Sequence, residues 1–256
     1  MRLELMTSPA VKAYLAVKPG IVIPVGATEQ HGPDALIGTD HLCAEAIARR
    51  FGETNGVIIA PTVAYGMSQF HLGFAGTISL RPSTLSAMMQ DVIASLAATG
   101  FTRIYVLNGH GGNLAPIRCA VQEFYAVRSF AGEPEPSKVF CRVKSWWELP
   151  QADAIRRSLY GAGEGFHATP SEVAITMASH PEHITAFDRP TPQHSAGDVM
   201  LHAGDNYYDA ADFAARFPDG VVLSHSSLAT REAGEQLIAA AGSDLADDFE
   251  MFCRSA

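Results

Sequence analysis

Ile21-Val22-Ile23-Pro24-Val25-Gly26-Ala27-Thr28-Glu29-Gln30-His31-Gly32-Pro33 begins as an apolar run and breaks at Gly26 into a turn carrying a carboxylate and an imidazole two residues apart. A short aliphatic run bounded by Gly and Pro reads as one buried strand. Gly38-Thr39-Asp40 follows, with Asp40 nine residues beyond His31, so three metal-compatible side chains trail a single strand. A second strand is expected over 103–107. It runs into Asn108-Gly109-His110-Gly111-Gly112-Asn113, where glycines let the backbone carry another imidazole out of the sheet edge.

Outward from these two stretches, the chain alternates helix and strand. Ser8-Pro9 predicts a helix over 9–17, Thr39 is the expected cap of a helix reaching Phe51, and Ser83 starts one that Gly100 stops. Further strands are expected over 57–60, 76–80 and 138–143, and another helix from Asn113. The alternation predicts an α/β fold with a mostly parallel sheet, in one domain over 1–256. Residues 61–74 read as a long loop. The pattern also loosens over 145–170 and through a Pro-rich passage to about 225, and loops at 61–76 and 145–166 are expected to close over a site. Thr169 opens a helix to Ser179, and the last helix is expected over 228–252. Ligands of open α/β sheets bind beyond the carboxyl ends of the strands, where Glu29, His31, Asp40 and His110 all fall.

The 256 residues are 47% hydrophobic, enough for a sizeable core, and the net charge of -9 disfavours a nucleic-acid partner, which needs a basic surface to displace phosphate counterions. A small-molecule ligand is expected instead. No apolar run approaches the roughly 18 to 20 residues that cross a bilayer, and Glu4 interrupts any signal core, so the expected location is the cytoplasm. Cys43, Cys119, Cys141 and Cys253 lie scattered, with no C-x-x-C pair, and read as reduced thiols.

Glu29, His31 and Asp40 offer oxygen and nitrogen donors suited to Zn, Mn or Fe(II), and two ions can share a bridging carboxylate. The competing reading makes Glu29 and His31 surface residues and Asp40 a favourable charge at a helix N-terminus. Asn108 to Asn113 is a Gly-rich turn before a helix, open to an anion-cradle reading. In His167-Ala168-Thr169-Pro170-Ser171-Glu172, Glu172 either ligates or completes the T-x-x-E capping box with Thr169. His71 either touches substrate or is solvated. His180, His183, His194, His202 and His225 show no spacing that makes a site.

Pro24 to Pro33, Gly38-Thr39-Asp40, Gly76-Thr77-Ile78-Ser79-Leu80, Asn108 to Asn113 and His167 to Glu172 together resemble the creatininase (creatinine amidohydrolase) family. The resemblance implies a three-layer αβα domain, an oligomer and by analogy a hexamer, and a two-metal centre hydrolysing non-peptide C-N bonds of small amides. It implies Glu29, Asp40 and His110 on one ion, His31 and Asp40 on the other, and His167 working beside them as the catalytic histidine. Gly112 stands where creatininase carries a glutamate ligand, so that role is assigned to Glu172. Gly163 and Phe166 replace a tryptophan and a glutamate of the creatinine pocket. His71, Gly111 and Glu164 are the expected substrate contacts. The alternatives are a metal-dependent lyase or isomerase and a metal- or anion-binding protein without catalysis.

Overall fold

The computed structural model describes residues 1–134, 137–184 and 209–254. In chain order the elements are α1 (Ser8–Leu15), β1 (Gly20–Val25), α2 (Thr39–Asn55), β2 (Ile58–Ile59), α3 (Pro82–Ala98), β3 (Arg103–Asn108), α4 (Leu114–Phe130), β4 (Phe140–Ser145), α5 (Pro150–Tyr160), α6 (Pro170–Ser179), α7 (Ala210–Arg216) and α8 (Arg231–Arg254). The strands form a parallel sheet in the order β2-β1-β3-β4. Val25 lies opposite Asn108, so β1 and β3, the two central strands, release their chains at the same level.

Strand periodicity explains the layers. Ile21, Ile23, Val25, Ile104 and Val106 point to one face and pack with Leu85, Met89 and Ile93 of α3 and Ile117 and Val121 of α4, while Val11 and Tyr14 of α1 join their edge. Val22, Tyr105 and Leu107 point to the other face. There they meet Ile47 and Phe51 of α2, Val173 of α6 and Leu237, Leu245 and Phe249 of α8. Helices therefore cover both sides of the sheet, the three-layer αβα arrangement expected. Each fully buried aliphatic side chain contributes about 1.5–3 kcal/mol by leaving water.

The structure departs from expectation in several places. Residues 76–80 form no strand; Ile78 and Ser79 make single bridges to Thr28 and Gly66, which tie the loop after β2 to the end of β1. Gly38, not Thr39, precedes α2, and the Thr39 hydroxyl donates to the Leu36 carbonyl at 2.6 Å. The stretch over 145–170 is not loose: Glu148 accepts from the Ser145 amide at 2.6 Å and α5 begins at Pro150. Part of the passage before 225 is helical as α7, and the last helix begins at Arg231. His194 and His202 lie outside the described residues. Among those described, no helix is long and apolar enough to cross a membrane.

Candidate metal centre

The site forms where the ends of β1 and β3 meet the first turn of α2. A Cβ at Gly26 would collide with the His41 backbone and one at Gly109 with the Asp40 carbonyl, so only glycines allow this approach. That contact delivers Asp40 between the two strand ends, at a helix N-terminus that favours its charge. The asparagines of the second motif brace the His110 loop. Asn108 Nδ2 donates to the His110 carbonyl at 2.8 Å, while Asn113 Nδ2 donates to the Gly26 carbonyl at 2.9 Å and its Oδ1 accepts from Met67 N at 3.0 Å.

Asp40 Oδ1 lies 3.1 Å from His31 Nε2, and Asp40 Oδ2 lies 3.1 Å from His110 Nδ1. Glu29 Oε1 lies 3.4 Å from His110 Nδ1, 3.3 Å from His71 Nε2 and 3.6 Å from His167 Nδ1; Glu172 Oε1 is 3.8 Å from His31 Nε2. Glu29, His31, Asp40, His71, His110 and Glu172 are all buried. Glu29/Asp40/His110, His31/Asp40/Glu172 and Glu29/His31/His167 each bring their ligand atoms within 4.8 Å of one another. The site is not the exposed loop of the competing reading.

Three imidazoles turn their outer nitrogen to a backbone carbonyl: His31 Nδ1 to Glu29 at 3.1 Å, His110 Nε2 to Met67 at 2.9 Å and His167 Nε2 to Gln30 at 2.7 Å. Each therefore aims its other nitrogen into the cluster, as oriented metal-binding histidines do. Glu29 Oε2 is buried without a hydrogen-bond partner, and Glu29 Oε1 and Asp40 Oδ2 face imidazole nitrogens at 3.1 to 3.6 Å. Such oxygens cost free energy unless a cation meets them, so the donor set fits divalent metal.

Burial opposes charge on every group here, yet the neighbours outweigh it at most of them. Against burial, Asp40 and then Glu172 hold His31 up at about 10, Glu29 and Asp40 hold His110 up at about 9, and His110 with His71 holds Glu29 down at about 2. Asp40 is held below the usual carboxylate range by His31 and His110, again against burial. Burial wins at two positions, raising Glu172 to about 7 and, with His31, pushing His167 well below its usual value. A cluster that draws protons onto two imidazoles is one where metal binds by displacing them.

Glu172 does two things at once. Its Oε1 accepts from the Thr169 amide at 2.6 Å in a complete capping box while reaching towards His31. Gly112 has no room for a side chain, since a Cβ there would crowd His110 Nε2 and the Met67 carbonyl. A cavity of about 300 Å³ opens above the cluster, lined by Asp40, His110, His167 and Glu172 and walled by Gly111, Trp146, Trp147, Arg156, Glu164 and Phe166. Gly111 and Glu164, the expected substrate contacts, line this cavity, Glu164 held by Arg156 at 3.3 Å and by the Ser171 hydroxyl.

His71 does not line this cavity, and it is not a solvated loop residue. Its ring is buried behind Glu29, stacked on His167 at 4.3 Å and packed against Phe70 and Phe213. Gln30, Trp146, Trp147 and Arg156 escaped the sequence reading. Only Gln30 carried a signal, its place between two ligand-type residues.

Fold and site define a class: an αβα protein with a cluster of carboxylates and imidazoles at the carboxyl end of its sheet, its donor atoms close enough together to hold a cation. Residues 4–249 match the family model described as "Creatininase: Creatinine amidohydrolase", and the chain belongs to that family. It is 30% identical over 241 residues to the creatinine amidohydrolase of Pseudomonas putida, covering 89% of this chain and 87% of that one. It is 38% identical over 123 residues to the mycofactocin precursor peptide peptidase of Mycobacterium ulcerans, covering 44% and 49%. A solved creatininase mutant of "Zn-Zn type" superposes with a TM-score of 0.79 at 27% identity over 98% of each chain, and so does one described as "Creatininase Mn".

Proposed function

We propose that the protein is a metal-dependent hydrolase of a non-peptide C-N bond in a small amide, such as a cyclic amide or a formamide. Asp40 carries this reading, because its two oxygens lie 3.1 Å from His31 and 3.1 Å from His110, so one carboxylate is shared by two ligand triads. Glu29, Asp40 and His110 would hold one ion and His31, Asp40 and Glu172 the other, with zinc, manganese and iron all suited to these donors. Such ions supply Lewis-acid polarisation of a carbonyl and make water a stronger acid.

His167 moves the proton. Burial keeps its imidazole unprotonated at rest, and Nδ1 faces the cluster, so it takes a proton from the attacking water as the oxygen joins the carbonyl carbon. It returns that proton to the nitrogen as the C-N bond breaks. Trp146, Trp147 and Phe166 give the cavity apolar walls for a planar amide, with Gly111 and Glu164 as polar contacts. Gly163 and Phe166 separate this pocket from the creatinine pocket that the resemblance describes, so creatinine is not the proposed substrate.

Lactams, formamides and cyclic ureas incubated in ¹⁸O-labelled water test the reaction. Hydrolysis places solvent oxygen in the acyl product; turnover without label would mean a lyase or isomerase. Metal-dependent thermal stabilisation with no turnover on any amide would leave a binding protein. We also propose a cytoplasmic homo-oligomer, six copies on the family analogy, which sedimentation as a monomer would overturn.

A further inference from the structure

We propose that Gln30 is a positioning residue: its side-chain amide fixes His71 as an N-H donor to Glu29 and so keeps that imidazole out of the ligand set. Gln30 is 7% exposed, and its Oε1 accepts from the Gly32 amide at 2.8 Å, which decides the end of the side chain that is nitrogen. Nε2 then has two hydrogens, and two acceptors stand at bonding distance, the Gly220 carbonyl at 2.9 Å and His71 Nδ1 at 2.8 Å. An amide nitrogen can only donate. His71 Nδ1 must therefore be bare, and the ring proton sits on Nε2, 3.3 Å from Glu29 Oε1.

The backbone of Gln30 does the opposite for His167. Both amide hydrogens are used, so the 3.1 Å approach of Gln30 Nε2 to His167 Nε2 supplies no bond, and that ring nitrogen gives its own proton to the Gln30 carbonyl at 2.7 Å. His167 Nδ1 is left bare, 3.6 Å from the same Glu29 oxygen. One residue thus sets an N-H and a lone pair on either side of Glu29 Oε1, on two rings stacked 25° from parallel. His71 comes as close to Glu29 as His110 does, yet it belongs to none of the three ligand groups among the described residues. Gly220 closes directly on the amide, where a Cβ would collide with Gln30 Oε1, so the turn after α7 is locked to the site through this side chain.

The ring states stand on geometry alone; their catalytic consequence rests on the hydrolase reading, and the test separates the two. Long-range ¹H-¹⁵N correlation spectra of metal-free protein labelled in histidine should show His71 protonated on Nε2 only, unchanged when zinc is added, while His31 and His110 respond. In Gln30→Glu the ionised side chain keeps its reach but has no hydrogen to donate, and the His71 proton should move to Nδ1. On any amide the wild type turns over, Gln30→Glu should lose about 10- to 100-fold in kcat, the range for losing a hydrogen bond that holds a metal ligand, here the one from His71 to Glu29. A His71 proton on Nδ1 or on both nitrogens, loss of the Nε2 proton on adding zinc, or an unchanged kcat in Gln30→Glu would overturn the proposal. If that variant fails to fold, the wild-type spectra decide. A protein inactive on every amide leaves the spectra to stand, and the hydrolase reading alone then falls.

Discussion

Glu29 and His110 reach Asp40 from the ends of adjacent central strands, whereas Glu172 reaches His31 from the first turn of α6, where it also caps the helix. The first triad is locked by backbone: Gly26 and Gly109 press against α2, and Asn108 and Asn113 brace the loop. Its nitrogen-to-oxygen distances are 3.1 and 3.4 Å. In the second triad Glu172 Oε1 stands 3.8 Å from His31 and already accepts the Thr169 amide. Ligands mounted on strand ends are preorganised, while a ligand that doubles as a cap gives up part of its capacity to the helix. The second cation position should be the weaker and the first to empty under chelation.

Substitutions break this comparison with different force. Asp40→Ala removes the shared carboxylate and should empty both positions, leaving less than about half an equivalent of metal and no measurable turnover. Elemental analysis checks it, and two equivalents retained would end the two-site scheme. His167→Ala stands outside both triads and should keep its metal while kcat falls about 10²- to 10⁴-fold; unchanged turnover would remove His167 from the chemistry.

Smaller effects sharpen the contrast. Stripping metal from the wild type should lower stability by about 2.7 kcal/mol for each position that had been held at 100 times its own dissociation constant, measured by thermal unfolding with and without zinc. His110→Ala should lose the tighter equivalent and Glu172→Gln the weaker one. Gln can still complete a capping box, so Glu172→Gln should unfold like the wild type when metal-free, whereas Glu172→Ala should lose about 1 kcal/mol, the worth of one hydrogen bond. Equal metal-free stability of the two variants would mean that the cap contributes nothing.

Much of this is legible in the sequence. The run from Ile21 to Val25 and the stretch before Asn108 announce buried strands by composition, and the glycines after each mark where the chain turns. The helix α5 was not legible, because Pro150 to Tyr160 follows a polar stretch with two tryptophans and precedes a Gly-rich one, although Pro150 at its first turn was a usable signal. The expected strand at 76–80 failed for another reason: its residues have strand character, but the loop gives them single bridges in place of a ladder.

Residue type and local spacing determined that β1 and β3 end in ligand-bearing turns, because strand periodicity and glycine placement act over a few residues. Tertiary structure alone decided that Glu172 serves as cap and candidate ligand together, that His71 turns behind Glu29, and that Gln30 reaches a turn 190 residues away. Those outcomes depend on which side chains are brought within about 3 Å of one another, and hydrogen bonds and ion pairs at that range form only after distant segments have packed.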